Sequence, residues 1–81
     1  MNVFPVPESL ATKYHGAGHA LAAVSRGELV DFVYLDDIFP DYDGDARRSV
    51  SDPRIQQDVR ALQEQGSVHI GMLSCMEFVE L

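Results

Sequence analysis

Basic residues are scarce in this sequence: six Lys and Arg stand against 13 Asp and Glu, a formal net charge of −7. That balance argues against a nucleic-acid or anionic-membrane surface, because both require basic side chains. Cysteine is nearly absent as well. Cys75 stands alone, so no internal disulfide and no centre built from several thiolates is available, which fits a reducing compartment. No run approaches the eighteen or so apolar residues of a membrane span. "MNVFPVPESL" has neither the basic start nor the long apolar stretch of a signal peptide. The cytoplasm is therefore the expected location. Internal repeats, low-complexity segments and a GxxxxGK[ST] nucleotide loop are missing too, and the last of these rules out a P-loop ATPase module in this chain.

What is present is the composition of a globular chain, 46% hydrophobic and 23% charged over 81 residues. This length holds one small domain, or a piece of one that leans on a partner. A domain of this size buries only roughly 60% of its unfolded surface. Its stability margin is correspondingly thin.

Residues 1–8 carry Pro5 and Pro7 and read as an extended arm. Ser9 is suited to an N-cap, and Leu10, Tyr14, Ala17, Leu21 and Val24 recur at helical spacing. With Arg26 at its negative end and Gly27 as a C′ stop, the pattern predicts a helix over residues 10–26. Gly16 and Gly18 inside it each cost roughly 1 kcal/mol against alanine, which suggests close packing or an altered site. "LVDFVYLDD", residues 29–37, is rich in β-branched and aromatic residues and alternates as a strand does. "DDIFPDYDGDARRS" is a turn-rich acidic loop. Asp52 then caps a further helix, with Pro53 at its first position, Ile55, Val59 and Leu62 as its apolar stripe and Gly66 at its end. In the tail, Val68, Met72, Cys75, Met76 and Val79 fit a helix, whereas "VHIGML" alone fits a strand; the helix is preferred. The expected fold is α+β: a zincin-like helix, a strand, an acidic loop and two further helices. It has too few strands for a sheet unless others come from outside.

The chemistry-bearing feature is "YHGAGHALAA", residues 14–23. On a helix, His15 and His19 project from one face about 6 Å apart, the spacing with which HExxH sites present two imidazoles to one zinc ion. Gly16 stands where such a site carries the glutamate that takes a proton from the metal-bound water. Ala17, Gly18, His19 and Ala20 complete a segment that resembles the HEAGHA signature of the FtsH-type ATP-dependent zinc metallopeptidases. The resemblance covers roughly residues 10–37. It implies zinc as cofactor, His15 and His19 as metal ligands, and the strand near Val33 as a substrate-pairing edge. It also implies a downstream acidic third ligand, which the sequence does not select among Asp36, Asp37, Asp41, Asp43 and Asp45. With no general base at Gly16, hydrolysis is expected to be slow or absent.

Other features carry less. "DYDGDARRSVSD" places acids at the first, third, fifth and twelfth places of a calcium-loop count. However, Ala46 occupies the sixth place, where the sharp turn needs glycine, so a solvated acidic turn partly neutralised by Arg47 and Arg48 is the better reading. His69 reads as packed or surface-exposed rather than as a ligand. Cys75 reads as a small core residue with no basic neighbour to activate it. The apolar ending, Met72 to Leu81, either completes the core or docks on a partner. Two functional expectations follow. One is a zinc-peptidase-related domain with a degenerate HGAGH site. The alternative is a non-catalytic interaction module that binds a protein or peptide, or a second copy, through an exposed strand and an apolar C-terminal helix.

Overall fold

The computed structural model describes residues 2–81. The strand expected over "LVDFVYLDD", residues 29–37, is present as β3, Glu28–Tyr34, although Leu35, Asp36 and Asp37 turn into a helix instead. Four other strands join it: β1 Val3–Pro5, β2 Gly18–Ser25, β4 Ser67–Ser74 and β5 Glu77–Glu80. They form a single antiparallel sheet in the order β1-β5-β4-β2-β3. The zincin-like arrangement of a helix followed by one strand, a loop and two helices is therefore incorrect, although helices and strands do coexist. The chain supplies its own sheet.

Residues 10–26 contain no α-helix. A 3-10 turn, Glu8–Lys13, is followed by a short loop and then by β2. The physical reason lies in the run Ala20 to Val24, all five residues of which are buried. A central strand covered on both faces reads as a continuous apolar run rather than an alternation. Alternate positions serve different layers. Ala20, Ala22 and Val24 face a core with Leu29, Phe32, Tyr34, Leu73 and Phe78, closed over by Phe4, Val6, Leu10 and Tyr14 of the N-terminal segment. Leu21 and Ala23 face a second core with Leu35, Phe39, Ala46, Ile55, Val59 and Leu62. Alanine at three of these places lets both layers approach the sheet closely.

The second layer comes from the segment between β3 and β4. It holds α1, Leu35–Ile38, α2, Ala46–Ser49, a 3-10 turn, Pro53–Ile55, and α3, Gln56–Gln63. The expected signals operate here. The Asp52 carboxylate accepts a hydrogen bond from the Arg54 amide, Pro53 starts the turn, and Ile55, Val59 and Leu62 are buried. The acidic loop is less irregular than its composition suggests, since α1 and α2 each contribute one turn.

The C-terminal helix is also replaced. Residues 67–80 form a β4–β5 hairpin whose two turn residues, Cys75 (φ 52°) and Met76 (φ 64°), both take the left-handed conformation. This is the pattern of a type I′ turn, which normally announces itself with Asn-Gly. Here neither residue gives that signal. Cys75 is exposed at the tip, not in the core. Gly71, half-way along β4, shows why the hairpin packs as it does. A Cβ there would lie 2.4 Å from the Val79 carbonyl oxygen and 2.6 Å from the Phe78 ring. The β2–β3 hairpin turns in the same way through Arg26 (φ 54°) and Gly27 (φ 78°), so Gly27 serves a strand turn rather than a helix stop. No helix among the described residues is long and apolar enough to cross a membrane.

Candidate functional site

His15 lies in the loop that leads into β2, and its surroundings are set by Tyr34 at the end of β3. The Tyr34 hydroxyl accepts from the His15 amide at 3.1 Å and donates to the Gly16 carbonyl at 2.9 Å. The two rings lie close, with centroids 3.8 Å apart and planes tilted by 32°. His15 Nε2 faces Asp37 at 3.0 Å, with both side chains more than half exposed. Gly16 sits in this clamp with φ 122°, a conformation that residues with a Cβ rarely adopt. Glycine meets the conformational requirement of this turn.

His19 belongs to β2 and points to the helix-bearing face. Its Nδ1 is hydrogen-bonded to the Tyr42 hydroxyl at 2.8 Å, with the rings edge to face at 5.9 Å. Burial, and then the charges of Asp36, Asp43 and Asp45, push the Tyr42 hydroxyl above its ordinary pKa. Tyr42 therefore remains a protonated partner. The two histidines thus have separate environments and separate partners. His15 precedes β2 in a loop and His19 lies within the strand, so the helical spacing of about 6 Å for positions four apart does not apply to them. Asp36, Asp37, Asp41, Asp43 and Asp45 do not complete a site around them. Among the described residues, no group of three or more His, Cys, Asp and Glu is placed to hold a metal ion.

The acidic loop is paired internally. Arg48 bonds Asp43 and lies 3.8 Å from Asp45, while Arg54 bonds Asp41 at 3.0 Å and Asp52 at 3.1 Å and rests over the Phe39 ring. The Asp45 amide hydrogen bond is the main cause holding the Asp43 carboxyl below its ordinary pKa, and Arg54 does the same for Asp52. These contacts fit the solvated-turn reading, with Arg48 and Arg54 as the neutralising partners.

Two other places bear chemistry. The first is the helix-bearing face beyond the helices. Cross-strand partners Val3, Val79, Met72 and His19 form one row across β1, β5, β4 and β2. Val3 and Leu81 are 51% and 52% exposed. Met72, Val79 and Leu81 with Asn2 and Glu80 line a groove of about 340 Å3, and Leu81 also borders the neighbouring cleft of His19, Asp43, Asp45 and Arg47.

The second place is on the opposite face, at the far end of β4. Ser67 Oγ lies 2.8 Å from His69 Nε2, and His69 Nδ1 lies 2.5 Å from Glu80 Oε2. Asn2 donates to Glu80 Oε1 at 2.9 Å. Hydrogen bonds from His69, and then from Asn2, hold the Glu80 carboxyl below its ordinary pKa. This constellation is invisible if the tail is a helix, because positions two apart then face different ways. On a strand, the S-x-H spacing puts Ser67 and His69 on one face, and that spacing is the signal that reveals it. No family model and no curated protein matches the chain.

Proposed function

We propose that this chain is a protein-interaction module whose docking surface is the uncovered part of its helix-bearing sheet face. The observation that carries this reading is the registered row Val3–Val79–Met72 with Leu81 at its margin. The helices cover Leu21, Ala23, Val68 and Ile70 on that face and leave the β1–β5 half open. An apolar row left open beside a polar rim is the composition of an interface core rather than of ordinary surface. The helix that would set His15 and His19 on one face is absent, since His15 lies in a loop and His19 in β2.

Charge selects the occupant. Two copies of a chain of net charge −7 repel one another, and Asp43 and Asp45 border the cleft adjoining the groove. The fitting partner is a segment of another protein with an apolar centre and basic flanks. The test uses a labelled ten-residue peptide of alternating Leu and Lys, with a Leu/Glu peptide as control, titrated by fluorescence anisotropy. The Leu/Lys peptide should bind, weaken as salt is raised, and lose at least tenfold in affinity with the Val3→Asp/Leu81→Asp protein. Equal binding by that variant, or by the Leu/Glu peptide, refutes the reading. Sedimentation of the wild type as a dimer that the variant dissolves would make a second copy the occupant instead.

A further inference from the structure

We propose that Ser67, His69 and Glu80 form a nucleophilic triad that hydrolyses small activated esters, with Ser67 and His69 on the sheet face opposite Met72 and Val79. The order of contacts matches one set of proton positions. In it the Glu80 carboxylate accepts at Oε2 from Nδ1 of the neutral His69 ring, 2.5 Å away. His69 Nε2 then presents a lone pair to the Ser67 hydroxyl at 2.8 Å. This is the order of partners that activates a serine: nucleophile, base, and a carboxylate that fixes the tautomer and stabilises the imidazolium. The alternative acceptor for the Ser67 hydroxyl, the Val24 carbonyl, is farther away at 3.2 Å.

The fold explains why these three meet. Ser67 and His69 are two apart on β4 and share a face with Ala22 and Val24 of β2, their cross-strand partners. Glu80 pairs with Gly71 across the β4–β5 ladder, so His69 is its diagonal neighbour, within reach of a long side chain. Ala22 opposite His69 leaves room for the ring, and Phe4 flanks it at 6.2 Å, giving an apolar wall for a short acyl chain. Ser67 is exposed, so the nucleophile is open to a small substrate.

The reaction balances with water as the only co-reactant. Ser67 Oγ attacks the ester carbonyl carbon while His69 Nε2 takes the hydroxyl proton. The tetrahedral adduct expels the alcohol oxygen, which receives that proton from His69, and Ser67 is left acylated. His69 then takes a proton from water as the water oxygen attacks the acyl carbon. As the Ser67–acyl bond breaks, His69 returns that proton to Oγ, which releases the carboxylic acid and restores the hydroxyl.

A tether that merely ties Asn2 to the sheet would use the same hydrogen bonds and show no reactivity. The discriminating experiment incubates the full chain with a fluorophosphonate and locates the adduct by peptide mass spectrometry, alongside turnover of p-nitrophenyl acetate. A single phosphonyl adduct on Ser67 is expected, formed about 10²–10⁴-fold more slowly in His69→Gln. Ester turnover should disappear in Ser67→Ala, whose exposed side chain leaves the core intact and guards against misfolding of the histidine variant. The absence of an adduct on Ser67, or equal labelling rates for wild type and a folded His69→Gln, overturns the proposal. So does turnover that survives in Ser67→Ala.

Discussion

At the scale of single residues, backbone conformation decides more than side-chain chemistry. Gly16 is the clearest case. In the sequence it occupies the place of a catalytic glutamate, yet in the fold it holds φ 122° beneath the Tyr34 hydroxyl. Gly16→Glu should therefore lower stability by about 1–3 kcal/mol, seen as a lower denaturation midpoint, and should gain no zinc-dependent peptidase activity. Cys75 and Met76 show the converse, because each holds a left-handed conformation without the residue type that favours it. Replacing them together as Cys75→Asn/Met76→Gly should raise stability by about 1–2 kcal/mol, by relieving that strain at an exposed hairpin tip. Urea denaturation of both proteins checks this, and an unchanged midpoint would contradict it.

At the scale of elements, the edge strand β3 is tied to both covering layers through one carboxylate. Asp31 accepts from Lys13 at 2.5 Å on the N-terminal 3-10 turn, from Gln65 at 2.8 Å just after α3, and from the Phe32 amide. Partial burial pushes the Asp31 pKa upward, but the hydrogen bonds from Lys13, Gln65 and Phe32 outweigh it and hold the group below its ordinary value. The sign follows from linkage. A carboxyl whose pKa is depressed by folding contributes stability above its unfolded value, near 3.9, and loses it as pH falls through the folded value. Asp31→Asn should therefore be less stable than the wild type at neutral pH, with the difference closing below about pH 4. Thermal melts from pH 7 to pH 2.5 follow it, and a constant difference across that range would show that the charge is not the cause. The same strand carries Val33, which the resemblance marks as part of a pairing edge. β3 is one of the sheet's two edge strands, and a bulge opposite Ala23 and Val24 and the inward ties of Asp31 blunt it as a template.

For the whole molecule, a sheet with cores on both faces concentrates stability in its middle. β2 and β4 lie inside the sheet, whereas β1 is three residues long at one edge. Amide hydrogen exchange should be slowest at the centres of β2 and β4 and fastest in residues 40–52, with β1 exchanging well before them. Protection of β1 equal to that of β2 would contradict this picture. The parts of this architecture legible in the sequence were those fixed by neighbouring residues. They include the alternation of β3, the Asp52–Pro53 start of the third helical segment with its Ile55, Val59 and Leu62 stripe, and the acidic character of the intervening turn. The remainder depended on residues distant in sequence. Ala20 to Val24 reads as helix or strand equally well until layers on both sides are known, because burial on two faces erases the period that separates the two. The tail could be read as a hairpin only from left-handed residues that its side chains do not announce. The metal-binding appearance of the HGAGH segment rests on helical spacing, whereas the fold puts its first three residues in a loop and its last two in a strand. The meeting of Ser67, His69 and Glu80 is likewise hidden when helical spacing is assumed for the tail. The sequence by itself determined composition, charge and the local stop and start signals, since these act through adjacent groups. Only the tertiary structure decided which histidine meets a serine and a carboxylate, because that meeting is made by cross-strand register.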